Sequence, residues 1–546
     1  MLKKIFTLFL LICGLTYSQS LSEPVNSNDV YEFLERLNLK GIITFHTEVK
    51  PLSRIHIAGK LVELKEKRNQ LSVLESEQLD FFLKEYFDET ARLTDNFDGI
   101  ESGFFKMSDK QRFRFYNYSS ATFGINVDPI LGIDYANHYG SEYKHRWNGA
   151  LFSGYLGDGW GFSMDFRDNE ESGTNIDSIK NFTRDKGINR MITKKNSFEF
   201  SEVNALLSYS WSFGSLSAGK ENINWGSGKG GKLIFSDKAP SFPMIRLNIQ
   251  PLEWLRFTYI HGWLHSDLID SSTYRTSLVE DRDSYSQIPK FIAAHILSAD
   301  VTNDITVSIG ESMIYGDEIE PLYLIPIMFF RLADHYLAKQ GSNTGDNAQL
   351  FADVQYKIPA VRTKFYSTAF VDELSITNLL KGKNLSAVAF TLGGTIADPV
   401  IRNSSLTLEY TRLNPFVYMN SNPLHLYSNY GYQLGHWIGS NADQFYVEYV
   451  QQIFSCLNSK IKIHHVRKGQ TELPEEQYQL PYPEFLYGQR LSQTQIDVSV
   501  KYITKYSITA EAYFTYNNTK DDEQGRLLEF IKGSKNSFGL RLFYGL

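Results

Sequence analysis

Residues 226–232 read Gly-Ser-Gly-Lys-Gly-Gly-Lys, the spacing of a loop that wraps phosphate with backbone amides and a lysine. Leu233 follows, where magnesium chemistry needs a Ser or Thr hydroxyl, so the stretch is read as a loop that only glycine permits. His261, His265, His436 and the pair His464-His465 show neither HExxH nor cysteine-pair spacing, which predicts no metal site. Glu221, Glu311 and Asp346 are residues of the kind that share acid and base work on glycosidic bonds. Scattered as they are, they are expected to line a pore or accept hydrogen bonds, and the sequence predicts no catalytic centre and no cofactor. Trp225, Trp263, Tyr323 and Trp437 stand beside polar or glycine-rich stretches. Sugars stack their C–H faces on such rings while nearby Asn, Asp and Glu take the hydroxyls. The same rings also suit the aromatic girdle of a membrane protein.

The elements that must hold these residues announce themselves by alternation. In 204–213, Ala205, Leu207, Tyr209, Trp211 and Phe213 share one parity, and Asn204, Leu206, Ser208, Ser210 and Ser212 share the other. The pattern recurs at Leu406, Leu408, Tyr410 and at Ile496, Val498, Val500, Tyr502, among others. A soluble sandwich puts its apolar face inward and charges outward. Here the polar face is serine, asparagine and glycine, while the rings stand opposite, which suits a wall with lipid outside and water inside. The expected fold is an all-β transmembrane antiparallel barrel. Roughly 440 residues at about 24 per strand and connection give about 18 strands, with an even number expected. The segments 170–195, 266–286, 337–347 and 468–488 are polar and long enough for extracellular loops.

Composition sets further bounds. Lys and Arg number 55 against 62 Asp and Glu, a net charge of −7, which leaves no basic surplus for nucleic acid. Mean hydropathy is −0.30, too low for a helical membrane protein but ordinary for a barrel with a wet lumen. Residues 1–20 are read as a signal peptide, with Lys3 and Lys4 before the apolar run Ile5–Ile12. Its removal leaves Cys456 alone, so no disulfide framework is expected. Export without a membrane helix places such a barrel in the outer membrane. Residues 21–97 differ: Val30, Phe33, Leu34 and Leu37 recur at helical spacing, a second helix starts at Ser53, and a third carries Leu74, Leu79, Phe82, Leu83 and Tyr86. The expected organisation is a signal peptide at 1–20, a periplasmic helical bundle at 21–97 and a barrel at 98–546.

Several blocks in consistent order resemble the Wzi-type capsule assembly family, in a form similar to that of Bacteroidetes. They are Tyr31–Ile43 and Lys50–Ala58 in the helical part, then Gly219–Leu247, Gly310–Phe330, Gly345–Tyr356 and Tyr432–Tyr449. No block is a catalytic fingerprint; the set across nearly the whole mature chain carries the resemblance. It implies an 18-stranded outer-membrane barrel with a periplasmic helical bundle, touching outer-membrane lipid. It also implies a non-enzymatic, lectin-like protein that binds, anchors or organises capsular or other surface polysaccharide. Trp225, Lys229, Lys232, Trp263, Tyr323 and Trp437 are its candidate glycan contacts. Lys229, Lys232, Lys238 and Arg246 form a basic cluster that offsets the chain's acidity towards an anionic glycan. The alternatives are a diffusion channel for a small solute, a barrel enzyme using Glu221 or Glu311, and a mount on which residues 21–97 recruit envelope export or assembly proteins.

Overall fold

The computed structural model describes residues 21–26, 28–276, 283–339, 345–373, 387–477, 479 and 481–545; the signal peptide read at 1–20 lies outside them. Eighteen antiparallel strands close into a barrel. In chain order they are β1 Phe123–His138, β2 Ser141–Leu156, β3 Trp160–Gly173, β4 Ser197–Trp211, β5 Gly214–Glu221 and β6 Phe242–Leu252. Then come β7 Leu255–Leu264, β8 Lys290–Thr302, β9 Ile305–Gly316, β10 Asn347–Ile358, β11 Thr363–Glu373 and β12 Ala387–Ala397. The last are β13 Ser404–Leu413, β14 Ala442–Phe454, β15 Leu457–Lys468, β16 Leu491–Ile503, β17 Ile508–Asp521 and β18 Gly533–Tyr544. The seam joins β18 to β1, with Phe538 opposite Asn137 and Leu542 opposite Ile133.

The alternation does what the sequence expects. Leu207, Tyr209, Leu408 and Leu540 stand exposed on the outer face, while Ser208, Ser210, Thr391 and Asn517 are buried inside. Inner hydroxyls bridge neighbouring strands, Thr391 to Thr411 at 2.9 Å and Ser298 to Ser308 at 2.7 Å. These pairs satisfy the buried hydroxyls of Thr391, Thr411, Ser298 and Ser308 without water. One end of the barrel carries short turns, among them 212–213, 253–254, 303–304 and 455–456. The other end carries long connections such as 174–196, 222–241, 317–346 and 414–441. Among the described residues no helix is long and apolar enough to cross a membrane.

Among the described residues four helices precede the barrel: α1 Asn28–Leu39, α2 Arg54–Glu66, α3 Val73–Glu85 and α4 Phe87–Thr94. Ser53 caps α2, and Ser72 with Glu75 forms a capping box on α3. The single helix expected through Leu74–Tyr86 and beyond is two. The Lys84 carbonyl is taken by the Arg112 amide at 3.2 Å, which breaks the helical ladder beside Tyr86. Leu34, Leu37, Leu61, Leu64 and Leu79 form a fully buried core.

These helices sit across the short-turn mouth. Arg36 donates to the Asn403 carbonyl at 3.3 Å, and Lys357 to Asn38 at 3.2 Å. Lys460 pairs with Glu32 and Lys501 with Asp29, both at 2.6 Å. A hairpin formed by Gly103–Lys106 and Arg114–Ser119 pairs along β1 and links the helices to the wall.

Candidate functional site

The connection 222–241 does not project from the rim. It turns into the lumen and runs down to the helices. Asn224 and Trp225 pair with Lys50 and Val49, and the Gly226 amide donates to the Glu48 carbonyl at 2.7 Å. Gly226 holds φ of 101°, open to glycine but not to residues with a Cβ. The Ser227 amide and hydroxyl both bind the Asp353 carboxylate, at 2.9 and 2.7 Å. The Lys229 and Gly230 amides bind Glu409 at 2.6 and 2.9 Å. The phosphate-like spacing therefore has physical content: its amides do seek an anion, and the barrel wall supplies carboxylates in place of a nucleotide.

Lys229 then reaches Glu35 of α1 at 2.5 Å. Burial alone would raise the Glu35 carboxyl, but Lys229, Lys364 and Lys50 hold it well below its ordinary value. Burial and the neighbouring Lys229 lower the Lys232 ammonium to about 8, despite nearby Glu35 and Glu409. Lys232 donates to the Gly226 carbonyl at 2.6 Å, within its own loop. Around this junction Trp225, Leu233, Ile234, Phe235, Phe351, Phe370, Tyr418 and Tyr427 pack as one apolar mass inside the barrel. Tyr418 and Tyr427 donate to the carbonyls of Leu233 and Ile234 at 2.6 and 2.8 Å, which pins the connection 414–441 onto 222–241.

The other side of the lumen is hollow. A cavity of about 860 Å³ lies between the helices and the inner faces of β1–β5 and β15–β18. Four of the rings that line it form a chain: His145 lies 4.7 Å from Trp147, Trp147 lies 6.2 Å from Phe543, and Phe200 lies 6.3 Å from His145. Arg167, Lys186, Lys220, Lys462 and Arg541 line it together with Asp165, Glu202 and Glu511. Trp147 Nε1, Arg167 Nε and Asn204 Oδ1 are buried there without a hydrogen-bond partner among the described residues. Rings beside unspent polar atoms can seat a saccharide or another polar solute.

The sequence-selected residues do not converge on one site. Trp225 and Tyr323 are wholly buried and offer no ring face to a sugar in this structure. Trp437 is nearly so; its Nε1 donates to the Gly230 carbonyl at 3.0 Å. Lys229 and Lys232 hold the inward loop. Trp263 stands on the outer wall with 37% of its surface exposed. Tyr323 and Phe329 lie outside the wall, and so does Glu311, expected to line a pore. Glu221 is inside, paired with Arg246 at 3.0 Å. Among the described residues no three His, Cys, Asp or Glu stand where a metal could be held. Sequence reasoning passed over the rings of the cavity. Tyr143, His145 and Trp147 share a parity opposite Glu142, Lys144, Arg146 and Asn148, which was the available signal.

Comparison with known proteins places this geometry. A family model described as capsule assembly protein Wzi matches residues 124–526. Among solved structures, the chain is similar to Wzi of Escherichia coli, described as an outer-membrane protein involved in group 1 capsule assembly and a carbohydrate-binding β-barrel. The TM-score is 0.58 at 14% identity, over 96% of this chain and 99% of that one. OprD of Pseudomonas aeruginosa gives 0.42 at 12% identity, over 77% and 95%. OccAB2 of Acinetobacter baumannii gives 0.40 at 11%, over 78% and 97%. No curated protein matches.

Proposed function

The chain belongs to the Wzi capsule assembly family, and from that premise we propose that it is a non-enzymatic outer-membrane barrel that binds and organises capsular or related polysaccharide at the cell surface. The observation that supports an anchor over an open pore is the seating of 226–232 on Glu409 and Glu35, far from the rim where the connection starts. Short turns face the periplasm in barrels of this class, which supports a periplasmic side for the helices and an outer side for the long connections. Glycan contact falls to the long-connection face, where Trp263 keeps an exposed ring, and to the cavity rings once a chain end enters. The helical face that carries exposed Val73 is open to envelope proteins.

Deleting the gene tests the reading. Capsule should pass into the medium, and the purified barrel should bind polysaccharide extracted from the same cells. Capsule that stays cell-associated, with no binding by the purified protein, overturns it. The hollow half of the lumen favours one second reading, passage of a small solute. Steady current across planar bilayers would support it, and silent membranes would remove it.

A further inference from the structure

Residues 317–339 of the connection 317–346 fold onto the outside of the barrel. Parity establishes this. On β7, Arg256 reaches inward to Glu48 at 3.2 Å and Ile260 joins the interior apolar mass, so Phe257, Tyr259, His261 and Trp263 point outward. On β8, Ile292, Ala294 and Ile296 belong to that mass, so Phe291, Ala293 and His295 point outward. On β9, Ser308 and Ser312 bond within the lumen, so Ile309, Glu311, Met313 and Tyr315 point outward. Yet Tyr259, His261, Phe291, Ala293, Met313 and Tyr315 are buried.

What covers them is a turn at Pro321–Leu324 followed by α5, Phe330–Lys339. Tyr323, Phe330, Ala333 and Leu337 form the underside, packed on the wall. Tyr259 donates to the Tyr323 carbonyl at 2.8 Å, and the Phe330 amide at the start of α5 donates to Glu311 at 2.7 Å. His261 meets the Tyr315 hydroxyl at 2.8 Å, and His295 stands 3.4 Å from Glu311. The flap thus seals a polar patch that the outer wall would otherwise present.

Its upper side is the opposite of what water selects. Leu324, Ile325, Ile327, Phe329, Leu332 and Tyr336 are all exposed, Ile327 by 84% and Leu332 by 63%. A ridge of this kind on a soluble surface would aggregate or bind. It is continuous with the exposed Leu297 and Ile309 on the same wall, the belt that faces hydrocarbon. Arg331 and His335 are exposed beside it, the kind of polar groups that reach towards headgroups from an interfacial helix.

We propose that 317–337 is a membrane-lying flap whose ridge inserts among the acyl chains of the outer leaflet. This rests on the barrel being in a membrane and not on its binding polysaccharide. Spin labels at Ile327→Cys and Leu332→Cys, in a Cys456→Ser background and phosphatidylcholine–phosphatidylglycerol vesicles, test it by collision with oxygen and with a water-soluble nickel chelate. Both positions should favour oxygen, as a label at Leu408→Cys on the lipid-facing wall does. A nickel response at either position equal to that at Lys195→Cys, in the exposed stretch 191–196, overturns the proposal. A water-like response at Leu408→Cys overturns the membrane placement itself, and the flap with it.

Discussion

The two halves of the lumen are built from the same alternating strands and yet are finished in opposite ways. Under β6–β14 the space is filled, with carboxylates Asp353 and Glu409 spent on loop amides and aromatic rings packed edge to face, such as Trp225 on Phe235 at 5.0 Å. Under β1–β5 and β15–β18 the space is left open, and Lys220 forms no ion pair among the described residues. In the filled half the carboxylates of Asp353 and Glu409 are taken by the inward loop, whereas in the hollow half Trp147 Nε1, Arg167 Nε and Asn204 Oδ1 stand unpartnered among the described residues beside open space. A wall of this kind dictates a polar interior, but what enters from the connections decides whether that interior is structure or site.

Breaking the filled half should cost most. Trp225→Ala should destabilise the protein by about 3–5 kcal/mol in denaturant unfolding from detergent micelles, as removal of a fully enclosed large ring does. Trp147→Ala, whose ring borders the cavity, should cost clearly less; equal losses would erase the distinction. Glu409→Ala strands the amides of Lys229 and Gly230 and the Tyr366 hydroxyl, now 2.7 Å from the carboxylate, at about 2–3 kcal/mol. The same variant should admit current across planar bilayers where the parent is silent.

A pH series sharpens the contrast. Lys50, at the junction of loop and helices, is lowered to about 7 by burial, with Lys229, Lys232 and Lys364 adding to the fall and Glu35 opposing it. On release from the fold it returns to its ordinary value near 10.5, so release takes up a proton throughout that window. Docking should therefore strengthen as pH climbs from about 7 towards 10 and level off at its weakest below about 7, read as the unfolding midpoint; Lys50→Met should flatten that slope. The smallest effect belongs to the hollow half: Lys220→Met should change stability by no more than about 0.5 kcal/mol.

Much of this was legible from the chain. Ala205 to Phe213 gave the wall its outer face, and Val30 to Leu37 gave the first helix. The glycine loop announced amides in search of an anion, but that anion stands on Glu409, far along the chain, and no spacing reports it. Glu311 was readable and misassigned: it shares parity with Ile309, Met313 and Tyr315, against Ser308 and Ser312. Tyr323 was not readable, because LYLIPIMFF is apolar at both parities and carries no facing information. The cavity rings were hidden by a reversal. Along the upper part of β2, Glu142, Lys144, Arg146 and Asn148 face outward, and the aromatic parity points inward to His145 and Trp147. Rings mark the lipid side only where lipid is present.

Lys229 and Glu35 are 194 positions apart, one on a connection from the barrel's far end and the other on the first helix. Their meeting needs the helices made, the strands between them laid side by side, and the connection already swung inward. It thus reports on both parts at once: neither the helices alone nor the strands alone can make it.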